Sequence, residues 1–84
     1  MNDEALARLE VAEEVDCVGE LCPGPVLKSM EALGKVAAGQ IVLLRTDLEP
    51  ATANVKVAVE TGGLAEVLGV RQVDGLYYMY MKRL

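Results

Sequence analysis

The chain has 84 residues, 52 % of them hydrophobic, with no Trp, Phe or His and a net charge of −5. This supports one small aliphatic core and excludes a fold of several domains. It also argues against a Cys–His hydrolase and against direct nucleic-acid binding, which draws on clustered Lys and Arg. The charge is uneven: residues 1–20 hold seven acids and one base, and the rest of the chain nets +1.

In chain order, the first thirteen residues read as an acidic N-terminal extension, frayed or a short helix, and residues 14–84 as the domain. Within the extension Leu6, Leu9 and Val11 give only weak periodicity. The segment has no apolar core, so it is not read as a secretory signal. No run of about 18 apolar residues occurs anywhere, so no membrane span is expected. Two cysteines form no disulfide framework, which fits a reducing, cytoplasmic setting.

Residues 14–18 read as a strand, with Val15 and Cys17 on one face and Asp16 on the other. Gly19 and Glu20 turn the chain, and a helical pattern begins at Pro23. Val26, Met30, Leu33 and Ala37 form its predicted core face, opposite Lys28, Glu31 and Lys35. A short buried strand is predicted over 41–44. The segment "EPATANVKVAVETGG" carries both a helical face (Ala51, Val55, Ala58, Val59) and a strand-like alternation of valines. Its length, Pro50 in a first turn and the closing glycine pair favour a helix. Residues 64–73 and 76–82 flank an Asp-Gly dipeptide, the signal of a tight hairpin. The order is β-α-β-α-β-β. It predicts an α+β, two-layer sandwich: a four-stranded mixed sheet with two helices on one face, its first two strands parallel.

The stretch "GELCPGPVL" carries the chemistry. Proline is costly inside a helix and favoured in its first turn, so Cys22-Pro23-Gly24-Pro25 marks a helix start with Cys22 at its N-cap. Two of the first three helical positions then lack an N–H. The remaining donors, of Gly24 and Val26, lie near the sulfur, and Gly24 adds no side chain to block approach. Such a setting lowers a thiol pKa and keeps the sulfur reachable. The bland alternative is a stiff helix entry with no chemistry. No histidine base, zinc ligand set, C-x-x-C or phosphate-cradling loop accompanies the cysteine. Spacing alone therefore leaves two thiol readings, a sulfur carrier or a redox thiol, and no metal.

Residues "VDCVGELCPGPVL", with Asp16, Gly19 and then Cys22-Pro23-x-Pro25, resemble the TusA-like (SirA-like) family of small sulfur carriers. "AAGQIVLLRTD", "EPAT" and "VDGLYYMYMKR" extend the resemblance over residues 14–83. It implies a persulfide on Cys22, with no separate cofactor. The sulfur would come from a cysteine desulfurase or rhodanese-like donor protein and pass to an acceptor protein. Outlets in the family include tRNA thiolation, molybdenum-cofactor synthesis and sulfur oxidation. In "TDLEPAT", Leu48 lengthens the loop relative to the family pattern around Asp47, a residue otherwise placed in partner contact.

Other residues carry two readings each. Cys17 is a buried small hydrophobe or a thiol that resolves Cys22 as a disulfide, the basis of an alternative redox or regulatory module. Asp16 orders the loop before Cys22 or faces solvent. Leu27 docks a partner or closes the core edge, and Lys28 meets an acidic partner or is simply solvated. A monomer is the expectation, with no membrane partner.

Overall fold

The computed structural model describes residues 3–19 and 24–84. Its elements run α1 (Asp3–Ala7), β1 (Val11–Asp16), α2 (Gly24–Lys35), β2 (Ile41–Thr46), α3 (Glu49–Thr61), β3 (Ala65–Val73) and β4 (Leu76–Arg83). The strands form one sheet in the order β1-β2-β4-β3. β1 and β2 are parallel, while β4 runs antiparallel to both neighbours. The mixed sheet and the α+β order match the sequence expectation.

Alternation along the strands builds two cores. On one face Val15, Val42, Leu44, Met79 and Met81 meet Ala32 and Leu33 of α2, Val36 just after it, and Val55 and Val59 of α3. On the other face Ile41, Leu43 and Tyr80 gather around Leu6 of α1, with Leu9, Val11 and Leu68 packed beside them. β2 lies between the two cores, and its four leading residues are all buried. A strand sandwiched in this way reads as a continuous apolar run rather than an alternation.

β4 divides its side chains as the sequence pattern requires, Tyr78 and Tyr80 to one face and Met79 and Met81 to the other. The two-residue turn before it is Asp74-Gly75, both with positive φ, and Val73 pairs with Leu76 across it. α3 forms despite its valines. Pro50 sits in its first turn, and Ala51, Thr52, Val55 and Val59 are its buried residues.

Three expectations change. β1 starts at Val11, inside the segment read as an extension, and ends at Asp16. Cys17 continues its ladder by one bond, donating its N–H to Arg45 O at 2.7 Å. Second, α1 is a docked element: Leu6 is 1 % exposed and covers Gly69, where a Cβ would meet Leu6 Cδ1 at 2.9 Å. The two long helices share one face, and α1 lies on the other. Third, the core face of α2 is Ser29, Ala32 and Leu33, continued by Val36 just beyond it, whereas Met30 and Ala37 are exposed. The helix turns its small residues toward the sheet, which allows a close approach, and leaves the flexible Met30 at its margin. No helix among the described residues is long and apolar enough to cross a membrane.

Candidate functional site

Cys22 and Pro23 lie outside the described residues, as do Glu20 and Leu21. The structure defines the segments on either side of them. β1 ends at Asp16, residues 18–19 form a turn, and α2 begins at Gly24. Pro25 is the second residue of α2.

The turn is held by two carboxylates. Asp16 Oδ1 accepts the Val18 N–H at 3.1 Å, a bond from a side chain to the backbone two residues on. Short acidic side chains favour this local closure. Asp47, from the loop after β2, accepts the Gly19 N–H at 3.0 Å through its own Oδ1. Gly19 has φ +82°, a left-handed conformation that costs other residues roughly 1–2 kcal/mol. The D-x-x-G spacing is thus explained locally: the aspartate closes the turn and the glycine supplies its handedness.

Asp16 is itself anchored. Its second oxygen lies 2.6 Å from Arg45 Nη2. Asp16 and Arg45 are register partners across β1 and β2, so the parallel pairing itself brings them together. The Arg45 hydrogen bond, followed by that of Val18, holds the Asp16 carboxyl below its ordinary 3.8; the charges of Arg45 and Lys28 add to the effect. Arg45 is raised from its ordinary value chiefly by Asp16, with Tyr78 and Glu14 contributing.

The row continues across the sheet. Arg45 pairs in register with Tyr78, and Tyr78 with Arg71. The Arg71 guanidinium lies 5.1 Å from the Tyr78 ring centroid, within cation–π range. Its Nη2 donates to Tyr80 Oη at 3.4 Å.

Cys17 is 0 % exposed and belongs to the helix-side core. That places it as a small buried hydrophobe rather than an accessible thiol. Leu27 is 62 % exposed and Met30 42 %, both in the first two turns of α2. Lys28 is exposed and lines a shallow polar groove with Glu13, Asp16 and Glu31 between β1 and α2. Gly24 starts α2 and is half-buried. Among the described residues no three His, Cys, Asp or Glu side chains gather as a metal site.

Sequence reasoning left Asp47 as a possible partner contact; the structure shows its Oδ1 accepting the Gly19 N–H. It missed Arg45 altogether. The available signal was its place in "IVLLRT", two positions beyond Leu43. That alternation puts Arg45 on the same face as Asp16.

Comparison with known proteins locates this arrangement. A family model described as sulfurtransferase TusA matches residues 13–83. Two archaeal proteins, each named "putative sulfur carrier protein", are similar. The one from Methanocaldococcus jannaschii is 36 % identical over 56 residues, covering 67 % of this chain and 75 % of its own length. That from Archaeoglobus fulgidus is 29 % identical over 70 residues, covering 83 % and 91 %. Among solved structures, the SirA-like protein of Desulfitobacterium hafniense superposes with a TM-score of 0.69 at 25 % identity, over 83 % of this chain and 95 % of that one.

Proposed function

The chain belongs to the TusA sulfurtransferase family, and on that footing we propose that it is a sulfur carrier whose cargo travels as a persulfide on Cys22. The observation that carries the proposal is the burial of Cys17. Of the two cysteines, Cys17 is sealed in the core, where no partner's sulfur can reach it. The carrier role therefore falls to Cys22, which comes after the braced turn and precedes α2.

In the transfer step the Cys22 thiolate attacks the outer sulfur of a donor protein's persulfide. A new S–S bond forms at Cys22, the donor's S–S bond breaks, and the donor leaves as a thiolate. The outer sulfur moves with no net oxidation or reduction. Delivery repeats the step with an acceptor protein's thiolate as the attacking group. Neither step needs a histidine base once Cys22 is ionised, which agrees with a chain that has none. The exposed Leu27 and Met30 offer apolar surface beside this helix start for the donor or acceptor.

The alternative, a switch closed by a Cys17–Cys22 disulfide, draws on a Cys17 sulfur that is buried in the core. One experiment separates the two. Intact-protein mass spectrometry after incubation with a cysteine desulfurase and cysteine is run on wild type, Cys22→Ser and Cys17→Ala. A reducible gain of one sulfur atom in wild type and Cys17→Ala, absent in Cys22→Ser, is the expected result. No gain in wild type, with a rhodanese-type donor tried as well, refutes the carrier reading.

A further inference from the structure

We infer that the open cavity beside the link from α1 to β1 is a binding site for a small aliphatic molecule carrying an α-amino-acid head. The site is separate from the cysteine chemistry and does not rest on the carrier reading.

The cavity has a volume of about 570 Å³, and its walls include Leu9, Glu10, Ala12, Ile41, Leu68 and Lys82. Preformed small-molecule sites span roughly 300–1,000 Å³. It lies at the end of the sheet where β1 and β2 begin, away from Asp16 and Thr46, where they end. Leu9, Glu10 and Ala12 precede the stretch 13–83 that the family model matches. The cavity thus depends on residues outside the matched part of the chain.

Two irregularities of the sheet shape it. β1 carries one extra residue, Ala12, between Val11 and Glu13, which pair with the consecutive Ile41 and Val42. β3 carries one extra residue, Leu68, between Val67 and Gly69, which pair with the consecutive Met81 and Tyr80. Both extra residues line the cavity. A bulge bends its strand and re-aims a side chain; here the two edge strands do so around the same space. Leu9 is held by α1: its N–H donates to the Leu6 carbonyl at 3.1 Å, and Leu6 is buried over Gly69.

The apolar walls, Leu9, Ile41 and Leu68, are aliphatic and suit an alkyl chain. Two opposite charges accompany them. Glu10 and Lys82 are both exposed. Neither side chain has an ion-pair or hydrogen-bond partner among the described residues, so they do not pair with each other. A simple carboxylate entering here meets repulsion from Glu10, and a simple amine meets it from Lys82. A head that carries both an ammonium and a carboxylate complements both. Glu66 stands opposite Lys82 across β3 and β4, does not pair with it and does not line the cavity.

The test titrates the isotope-labelled full chain and follows its amides by two-dimensional NMR. The probe is L-norleucine; hexanoate lacks its ammonium, and pentylamine lacks its carboxylate. Norleucine is expected to bind saturably with a Kd of about 1–10 mM, as for a ligand of so few atoms, and to shift the amides of Leu9, Ala12, Leu68 and Lys82. Lys82→Gln is expected to weaken norleucine and hexanoate about threefold and to leave pentylamine unchanged, the scale of one exposed charge pair. Glu10→Gln is expected to weaken norleucine and pentylamine about threefold and to leave hexanoate unchanged. Glu66→Gln is expected to match wild type. All three substitutions are at exposed positions and leave the cores intact.

No saturation by about 50 mM norleucine overturns the inference. So does binding of hexanoate or pentylamine as tight as that of norleucine, which would make the cavity an apolar surface with no use for the double charge. An effect of Glu66→Gln equal to that of Lys82→Gln also overturns it, because the charge of the whole face would then be at work. Sulfur uptake plays no part in these readouts, so failure of the carrier reading leaves the result standing.

Discussion

Replacing Leu6 by alanine tests whether α1 belongs to the folded domain. Leu6 is 1 % exposed although its helix has only five residues. A helix of that length has no stability of its own in water. It stays in place because Leu6 fills the space above Gly69 and packs against Ile41, Leu43 and Tyr80. Leucine exceeds alanine by three carbons, and at about 0.8 kcal/mol per buried CH₂ the transfer loss is ~2.4 kcal/mol. Any unfilled cavity adds to this. Release of α1 limits the total, because a terminal segment can detach instead of leaving a void. About 2 kcal/mol in a domain of this size corresponds to a fall in Tm of about 8–16 °C. Thermal unfolding followed by circular dichroism measures it. Sulfur loading of Cys22 at 25 °C should be unaffected, since α1 meets Ile41 and Leu43, while Arg45 and Asp47 hold the segment from Asp16 to Gly19. A Tm within about 1 °C of wild type would refute the reasoning and place α1 off the sheet in solution.

Three further outcomes are expected. Ser29 is fully buried in α2, and its hydroxyl finds no partner among the described residues; Ser29→Ala should raise stability by about 1 kcal/mol in urea titration, because a buried unpaired hydroxyl is a net cost. Gly19→Ala meets no atom within 4 Å but inherits φ +82°; it should lose ~1–2 kcal/mol through backbone strain alone, with Gly19→Asn losing less. The Asp16 carboxyl is lowered from 3.8, so its stabilising contribution is fully present above that value and disappears as pH falls through the lowered one. Val18 amide protection, followed by NMR, should hold from neutrality down to about pH 4 and decline below it. Asp16→Asn should remove that acid-dependent step.

Much of the architecture was legible because it depends on local chemistry. Asp74-Gly75 encodes a two-residue turn whatever surrounds it, and Pro50 marks a helix start. The alternation of Tyr78, Met79, Tyr80 and Met81 assigns two faces without reference to the rest of the chain. Asp16 and Gly19, spaced as D-x-x-G, were enough to mark the turn that follows β1.

The rest depended on which elements meet. Met30 and Ala37 looked like core residues because they are apolar, yet the face of α2 is set by the sheet beneath it. The sheet selected Ser29 and Ala32, small enough for close approach, beside Leu33 and Val36. The acidic start of β1 looked like an extension because an edge strand, paired only with β2, can carry Glu13 and Glu14 without burying them. The roles of Arg45 and Asp47 arise from the parallel register of β1 and β2 and from the path of the loop after β2. Arg45 stands 29 residues from its partner Asp16, and Asp47 stands 28 residues from Gly19. Sequence by itself determined the order of the elements, the hairpin and the turn after β1, because those depend on residues adjacent in the chain. Only the tertiary structure decided that α1 closes the second face and that residues 45 and 47 hold the segment from Asp16 to Gly19, because those contacts exist only once distant segments pack side by side.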